Sequence, residues 1–560
     1  MRRGLKGMLV GTLGFLVGCG SCGKADVAVD AAPPESVVEA KVPAPDDLLA
    51  DGVWLTPNAS WTKLQRGIGG AVGLMPQTAG GLVCSLGGID LGLASEIDGA
   101  APMYLALAGE PDDPEWLLAA KVVEQRKARD VLLDAENAKY TGTEENGTTV
   151  LKAKGGAPAT FGLGLTRSGY LLVGKSEAAL TKLGPYATRT LPTLPPSKSA
   201  LHVDVKKKAL SGRLRTALEK RWQGYAVDLL AEDAKMREAR GGRAPDFADP
   251  KAIVGLADGL VQKRIASLSS LEKLVLDVEI GDDDLHVVAE AEGPAEGGSL
   301  APMTVGSTAP LFEVPKDAIA ALLTRSTPSE RETDAKELTA ALGSALGARL
   351  PDADQKKLHA LLEEFAKNRG DALTLVGLGG ENKAKGLVLR TETKSPEALG
   401  KSVGLVADLL RTPTFKEPLR LKTQQRSTGD AKGVGKCELL DLMVEGKGKL
   451  PDTKLGLAWT TEGGWLTAAL GDGPLDLVSR GARPEEKLSS DKVHAKYLEA
   501  LGKEASFVFY AQPFLVDQSK PVPASPAVLA WGSSETRGRW LRFDVADRVL
   551  RELLKKQLGL

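Results

Sequence analysis

The sequence predicts an α+β protein of two related domains, each an antiparallel sheet covered by helices, derived from an internal duplication. Three observations predict it. First, 560 residues with 42% hydrophobic and 26% charged composition suit a globular chain with room for two or more full cores. Second, β-like runs come in pairs joined by tight polar and glycine turns, each pair then leading into a helical stretch. Third, the order of those pairs is written twice, and two copies at this length mean a duplicated domain, not a solenoid.

Taken in order, the chain opens with Arg2, Arg3 and Lys6, then a short apolar run from Met8 to Val17. This is the charged-then-apolar layout of an export signal and is too short for a good membrane-spanning helix. It ends in Leu16-Val17-Gly18-Cys19, which resembles the lipobox of bacterial lipoproteins. The resemblance implies that residues 1–18 are removed and that Cys19 is diacylated through sulfur. It also implies that the remainder is carried out of the cytoplasm. Two acyl chains hold a protein on a membrane where one holds only weakly. A simple secretory peptide, an N-terminal anchor and a twin-arginine signal are the other readings; Lys6 stands where the last of these wants an apolar residue. Gly20 follows the cysteine where an Asp favours inner-membrane retention in that family. The expected address is therefore the outer membrane, facing the periplasm or the cell surface.

Residues 19–47 are rich in Ala, Pro, Val and acidic residues without a sustained period. Such a stretch cannot bury enough surface to fold and reads as a lipidated flexible tether, reaching ~3 Å per residue when extended. Net charge gives no general attraction to nucleic acid or anionic lipid, because 72 Lys and Arg face 73 Asp and Glu. Four cysteines (Cys19, Cys22, Cys84 and Cys437) are too few for a disulfide framework. Cys84 and Cys437 are read as buried free thiols, with a bridge between them as the alternative that an oxidising compartment permits.

The first copy of the body spans 48–300 and the second 301–560. Met103–Glu110 and Trp116–Val123 answer to Leu373–Glu381 and Leu387–Thr393. Helical stretches follow, from Glu124 to Asp134 and from Pro396 to Leu410, the proline standing well at a helix start. Thr148–Lys152 echoes Cys437–Asp441. The clearest echo is Phe161–Gly174 against Leu455–Gly471, each two strands around a tight turn. Both copies close with a single strand (Leu201–Val205 and Phe507–Ala511) and a hairpin (274–291 and 528–545). Helical insertions distinguish them: 206–240 and 250–268 in the first, 334–347 and 351–368 in the second. Leu191–Ser197 and Gly293–Ser299 read as connections, the latter as the domain boundary. The layout resembles a class of uncharacterised exported bacterial proteins with duplicated strand-strand-helix units, a resemblance that implies no activity.

Motifs for chemistry are sparse. Gly169 to Ser176 satisfies the nucleotide P-loop pattern with Lys175 and Ser176 in the phosphate and magnesium positions. Its four inner residues, Tyr170 to Val173, are strand formers rather than a phosphate-cradling loop, so no cofactor is expected. His202, His286, His359 and His494 lack metal-ligand spacing and are read as solvated. No Gly-x-Ser-x-Gly elbow occurs. Asp282, Asp283 and Asp284 read as a hairpin turn rather than a calcium loop. The basic runs Lys206–Lys208 and Arg237–Arg243 read as solvated faces. Trp116, Trp459, Trp465, Trp531 and Trp540 are assigned to sheet packing. No catalytic, metal or cofactor residue is assigned; lipidation at Cys19 is the one site. The function expected is non-enzymatic binding or envelope organisation. A carrier of an apolar ligand and a hydrolase with a dispersed active site are the alternatives.

Overall fold

A computed structural model describes residues 40–558 apart from 70–72, 74, 135–138, 146, 155–160, 196, 240–249, 294–303, 347–349, 380–382, 418, 447–450, 514–524 and 535–537. Cys19, Cys22, the export signal, most of the tether and the boundary at 294–299 lie outside the described residues. The chain is α+β and forms two compact units. One comprises Met1–Arg221, Ile265–Ser299 and Val545–Leu560, the other Trp222–Arg264 and Leu300–Asp544. Residues 222–264 and 545–560 thus group differently from a simple division at residue 300.

In the first unit the strands are β1 (Leu48–Trp54), β2 (Met103–Ala108), β3 (Glu115–Lys121), β4 (Tyr140–Glu145) and β5 (Thr148–Ala153). They are joined by β6 (Gly162–Thr166), β7 (Tyr170–Gly174), β8 (Leu201–Val205), β9 (Lys273–Ile280) and β10 (Asp284–Glu292). They pair antiparallel in the order β10-β9-β8-β1-β2-β3-β7-β6-β5-β4. The central strands β6 and β7 are buried on both faces, which is why they read as apolar runs. Helices α1 (Pro57–Ile68), α2 (Ala79–Gly87), α3 (Gln125–Arg129) and α4 (Glu177–Arg189) surround them. On one face, Val83 and Cys84 of α2 pack with Leu163, Leu165, Leu171 and Val173. On the other, Leu180 and Leu183 of α4 pack with Leu117, Ala119 and Leu172. Each of these leucines is fully buried, and such burial stabilises by ~1.5–3 kcal/mol per side chain.

Ser176 starts α4: its hydroxyl accepts from the Ala179 amide at 3.1 Å and donates to Glu115 at 2.9 Å. Lys175 pairs with Asp113 at 2.6 Å. Tyr170–Val173 pair with β3 on one side, and Leu171–Val173 with β6 on the other. The stretch matching a P-loop is therefore a buried strand running into a capped helix. Further along lie α5 (Lys207–Ser211), α6 (Arg213–Ala239) and α7 (Pro250–Ser269).

In the second unit β11 (Gly306–Ser307) and α8 (Ala309–Phe312) precede β12 (Ala318–Arg325). Next come α9 (Pro328–Leu346), α10 (Asp352–Asn368), β13 (Arg369–Leu378), β14 (Gly386–Thr393), α11 (Pro396–Leu410) and α12 (Pro413–Lys416). Strands β15 (Leu421–Ala431), β16 (Gly435–Val444), β17 (Thr453–Glu462) and β18 (Trp465–Gly471) form two hairpins before α13 (Pro474–Ala482) and α14 (Lys492–Leu501). The chain then runs through β19 (Glu504–Ala505), β20 (Phe507–Ala511), β21 (Ala527–Ser534), β22 (Gly538–Ala546) and α15 (Asp547–Leu558). The antiparallel order in this unit is β21-β20-β12-β13-β14-β18-β17-β16-β15. Read from the corresponding edge, it repeats the first unit's β9-β8-β1-β2-β3-β7-β6-β5-β4. The helix that follows the β6–β7 or β17–β18 hairpin recurs, α4 in the first unit and α13 in the second, but the cover on the opposite face does not. The face opposite α13 is covered by Leu399, Val403 and Ala407 of α11, from the β14–β15 connection. In the first unit the equivalent cover comes from α2, in the β1–β2 connection.

Cys84 and Cys437 are both free and buried. The Asp282–Asp284 stretch lies at the turn between β9 and β10, as its composition predicts. All five tryptophans named above lie in strands. Among the described residues, no helix is long and apolar enough to cross a membrane.

Candidate functional site

Two sets of buried titratable side chains, one in each unit, are held in hydrogen-bonded groups. In the first unit Asp51, 3% exposed, accepts from the Tyr186 hydroxyl at 2.5 Å and from Lys206 at 2.9 Å. Lys206 also reaches Asp204 at 2.9 Å. Burial pulls its ammonium down, but the two carboxylates outweigh that and hold its pKa above the ordinary value. Burial, and then Asp51, push the Tyr186 phenol well up. The expectation of a solvated Lys206 is thus corrected, because a carboxylate buried on β1 recruits it.

His494 also departs from expectation. It lies on α14, 2% exposed, sharing a 2.8 Å hydrogen bond with the Tyr510 hydroxyl. Burial lowers its pKa, with Lys316 assisting and Asp491 opposing. Its helix turns a heptad-like apolar face inward (Tyr497, Leu498 and Leu501), and His494 shares that face. His202 contacts Asp277 at 2.8 Å, His286 contacts Asp284 at 3.2 Å, and His359 approaches Thr339 at 3.3 Å. Among the described residues, no group of three or more His, Cys, Asp or Glu is placed to hold a metal ion.

One arrangement is left open. In β14, β18 and β17, Arg390, Thr467 and Thr460 stand in a single cross-strand row. Beyond this row the β17–β18 ladder continues through Thr461 opposite Leu466 and Glu462 opposite Trp465. It closes at Gly463 and Gly464, with φ of 60° and 80°, the left-handed pair that a two-residue hairpin of matching twist requires. Over the row lies a hollow of about 180 Å³, lined by Arg390, Thr460, Glu462, Trp465, Thr467 and Arg483, with Val434 and Ala482 as apolar wall.

Arg390 is the distinctive group. Its guanidinium carbon lies 4.5 Å from the Trp465 ring centre, a cation–π arrangement. Its Nε is buried without a hydrogen-bond partner, and the side chain makes no hydrogen bond or ion pair with any described residue. Burial lowers its pKa, and Glu313 pulls the other way. Glu313 itself is ion-paired with Lys487. An arginine stays charged under these conditions. A half-buried cation without a paired anion is less well stabilised by the protein alone than a paired one. At the rim, Arg483 and Glu462 pair at 3.3 Å and neutralise each other.

Of these residues, Trp465 was assigned to sheet packing from the sequence, and Thr460, Glu462 and Thr467 fall with it in the repeated stretch Leu455–Gly471. Arg390, Glu462, Thr467 and Arg483 were not singled out. Leu387 and Leu389 flank Val388 in sequence, so both phases of β14 look apolar and the inward phase carrying Arg390 is not legible. No protein-family profile, no curated protein and no solved structure matches this chain.

Proposed function

We propose that this chain is a lipid-anchored bacterial envelope protein with a non-enzymatic binding role, built on a duplicated α+β unit and binding through the second copy. The hollow over Arg390 carries the binding reading: a cation with no hydrogen-bond or ion-pair partner in the protein, half-buried beside an opening, suits an anionic ligand. The closed networks at Asp51–Tyr186–Lys206 and His494–Tyr510 favour scaffold roles for those titratable groups over acid–base work. The hollow's mixed lining weighs towards an anionic ligand and against the carrier of an apolar one.

The duplication is supported by the matching strand orders and by one shared detail. Gly162 faces Gly174 and Gly456 faces Gly471, each pair immediately before the helix that covers its hairpin. Anchoring and outer-membrane address rest on Leu16-Val17-Gly18-Cys19 and on Gly20. In this proposal the diacyl group on Cys19 attaches the protein and the tether that follows holds the body away from the surface, up to Val42, which exchanges hydrogen bonds with Thr190 at 3.0 and 2.7 Å. The test is detergent-phase partition in a bacterial host. Wild type goes with the detergent phase and Cys19→Ala with the aqueous phase; equal partition of the two would reject the anchor.

A further inference from the structure

We infer that the hollow over Arg390 is a binding site for a small organic carboxylate, gripped in the plane of the guanidinium. The inference rests on the reading of this chain as a binding protein and is independent of how the chain is anchored.

A guanidinium held over an indole by a cation–π contact, 4.5 Å from carbon to ring centre, keeps its N–H groups available as donors in a planar fork. Those donors have no acceptor among the described residues, although the side chain lines an opening. Two parallel N–H bonds to a carboxylate would meet that need in geometry and in charge. Charge also selects the ligand. With Arg483 offset by Glu462, the hollow carries a net single positive charge from Arg390. A monoanion balances it, whereas a phosphate dianion would be left in excess beside the Glu462 carboxylate. The Thr460 hydroxyl is already donating to the Lys436 carbonyl at 3.2 Å, so the site has few donors for a third and fourth oxygen. Val434, Ala482 and the Trp465 ring offer apolar wall to a short hydrocarbon body, and about 180 Å³ admits a few heavy atoms rather than a large metabolite.

The equivalent place in the first unit shows how the same scaffold behaves when such a site is not built. Lys121 faces Tyr170, four residues along from Leu117 facing Gly174; Arg390 faces Thr467, four along from Gly386 facing Gly471. Lys121 is also stacked on an aromatic ring, at 4.7 Å. Its ammonium, however, donates to the Ser168 carbonyl at 2.6 Å, within a hairpin that turns at once. The second unit's hairpin runs two residues further on each strand. This carries its turn away from the cation and leaves the hollow in place of that carbonyl.

The experiment is a thermal-shift and calorimetric titration of the full chain in mild detergent at fixed ionic strength. Propionate is the probe, propionamide the neutral isostere and inorganic phosphate the dianion. Propionate at about ten times its Kd is expected to raise the wild-type Tm by ~2 °C or more, with no response to propionamide. Arg390→Met should abolish the response. Arg390→Lys, which keeps charge but loses the fork, should weaken binding at least about tenfold, and Glu462→Gln should strengthen it. An equal response in wild type and Arg390→Met would overturn the proposal, as would no wild-type response to propionate. A response to phosphate alone would overturn the carboxylate assignment. Failure of Cys19→Ala to leave the membrane rejects the anchor and leaves this titration unaffected.

Discussion

The hairpin β6–β7 and the hairpin β17–β18 occupy the same place in the strand order of their units, and they handle a half-buried cation in opposite ways. In the first, the turn follows Thr166 directly. The Thr166 hydroxyl accepts from the Tyr170 amide at 2.9 Å, Gln125 of α3 donates to the Thr166 carbonyl at 3.0 Å, and Lys121 binds Ser168. Tyr170 meets Tyr104 edge-on with ring centres 6.2 Å apart. Every group there has a neighbour that suits it. In the second, the two-residue extension moves the turn outward to Gly463 and Gly464, where added side-chain atoms would meet nothing. Arg390 keeps its register but loses the backbone acceptor that Lys121 has. The comparison teaches that a scaffold can acquire an opening by lengthening a hairpin, without altering the sheet beneath it.

The largest effects should come from what the two hairpins have in common. Leu180 of α4 and Leu477 of α13 are both fully buried against their strands. Leu180→Ala and Leu477→Ala should each destabilise by ~2–5 kcal/mol in chemical denaturation. A loss under about 1 kcal/mol at Leu477 would break the equivalence of the helices.

The cations should then separate the two units. Lys121→Met removes the hydrogen bond to Ser168 and should lower stability by ~1–2 kcal/mol. Arg390→Met removes a half-buried charge that the protein does not pair, so it should be neutral or stabilising by ~1 kcal/mol. Thermal melts of both variants check this; a clear loss at Arg390 would mean that the protein itself satisfies that charge.

The first unit has its own poorly balanced charge, which sharpens the comparison by pH. Asp547, at the start of α15, has its pKa pushed up to about 6, first by burial and then by Asp283 and Asp284, against the pull of Arg551. A folded-state pKa above the ordinary 3.8 means that the folded form holds the proton more tightly. The associated stability is full below 3.8 and is lost as pH rises through about 6. Asp547→Asn should therefore stabilise at pH 8 and change little near pH 4. The gain should be ~1 kcal/mol after allowing for solvent screening of a half-exposed group. A Tm difference between variant and wild type that does not vary with pH would refute it. The smallest effects belong to the exposed pairs Arg167–Glu144 and Arg483–Glu462. Arg167→Ala and Arg483→Ala should each shift stability by no more than ~0.5 kcal/mol, measured in the same denaturation assay.

Much of the sheet was legible. The pairs β2–β3, β6–β7, β9–β10, β13–β14 and β17–β18 announce themselves through apolar runs separated by glycine or polar turns. The insertions forming α6, α7, α9 and α10 announce themselves through helical spacing. Less legible were β4 and β15. β4 is exposed along nearly all its length, and β15 carries polar residues such as Gln424, Gln425 and Arg426, so neither shows the apolar phase that marks a strand. The grouping of α15 with the first unit was also hidden. It depends on Arg551 donating to the Gly67 carbonyl at 2.7 Å, across most of the chain's length.

The sequence by itself determined the α+β class, the pairing of neighbouring strands and the strand character of the Gly169–Ser176 stretch. These depend on local periodicity and turn chemistry, which a few consecutive residues encode. The tertiary structure decided which polar groups are satisfied. Lys206, His494, Lys121 and Arg390 carry no sign of a partner in the sequence, and their fates depend on what other elements bring within hydrogen-bonding distance. For Lys206 that is Asp51, for His494 it is Tyr510, and for Lys121 it is the carbonyl of Ser168. For Arg390 the long hairpin brings an indole and an opening. A hydrogen bond exists or fails over about an ångström, and the register that sets such distances between distant strands becomes fixed only when the whole sheet is assembled.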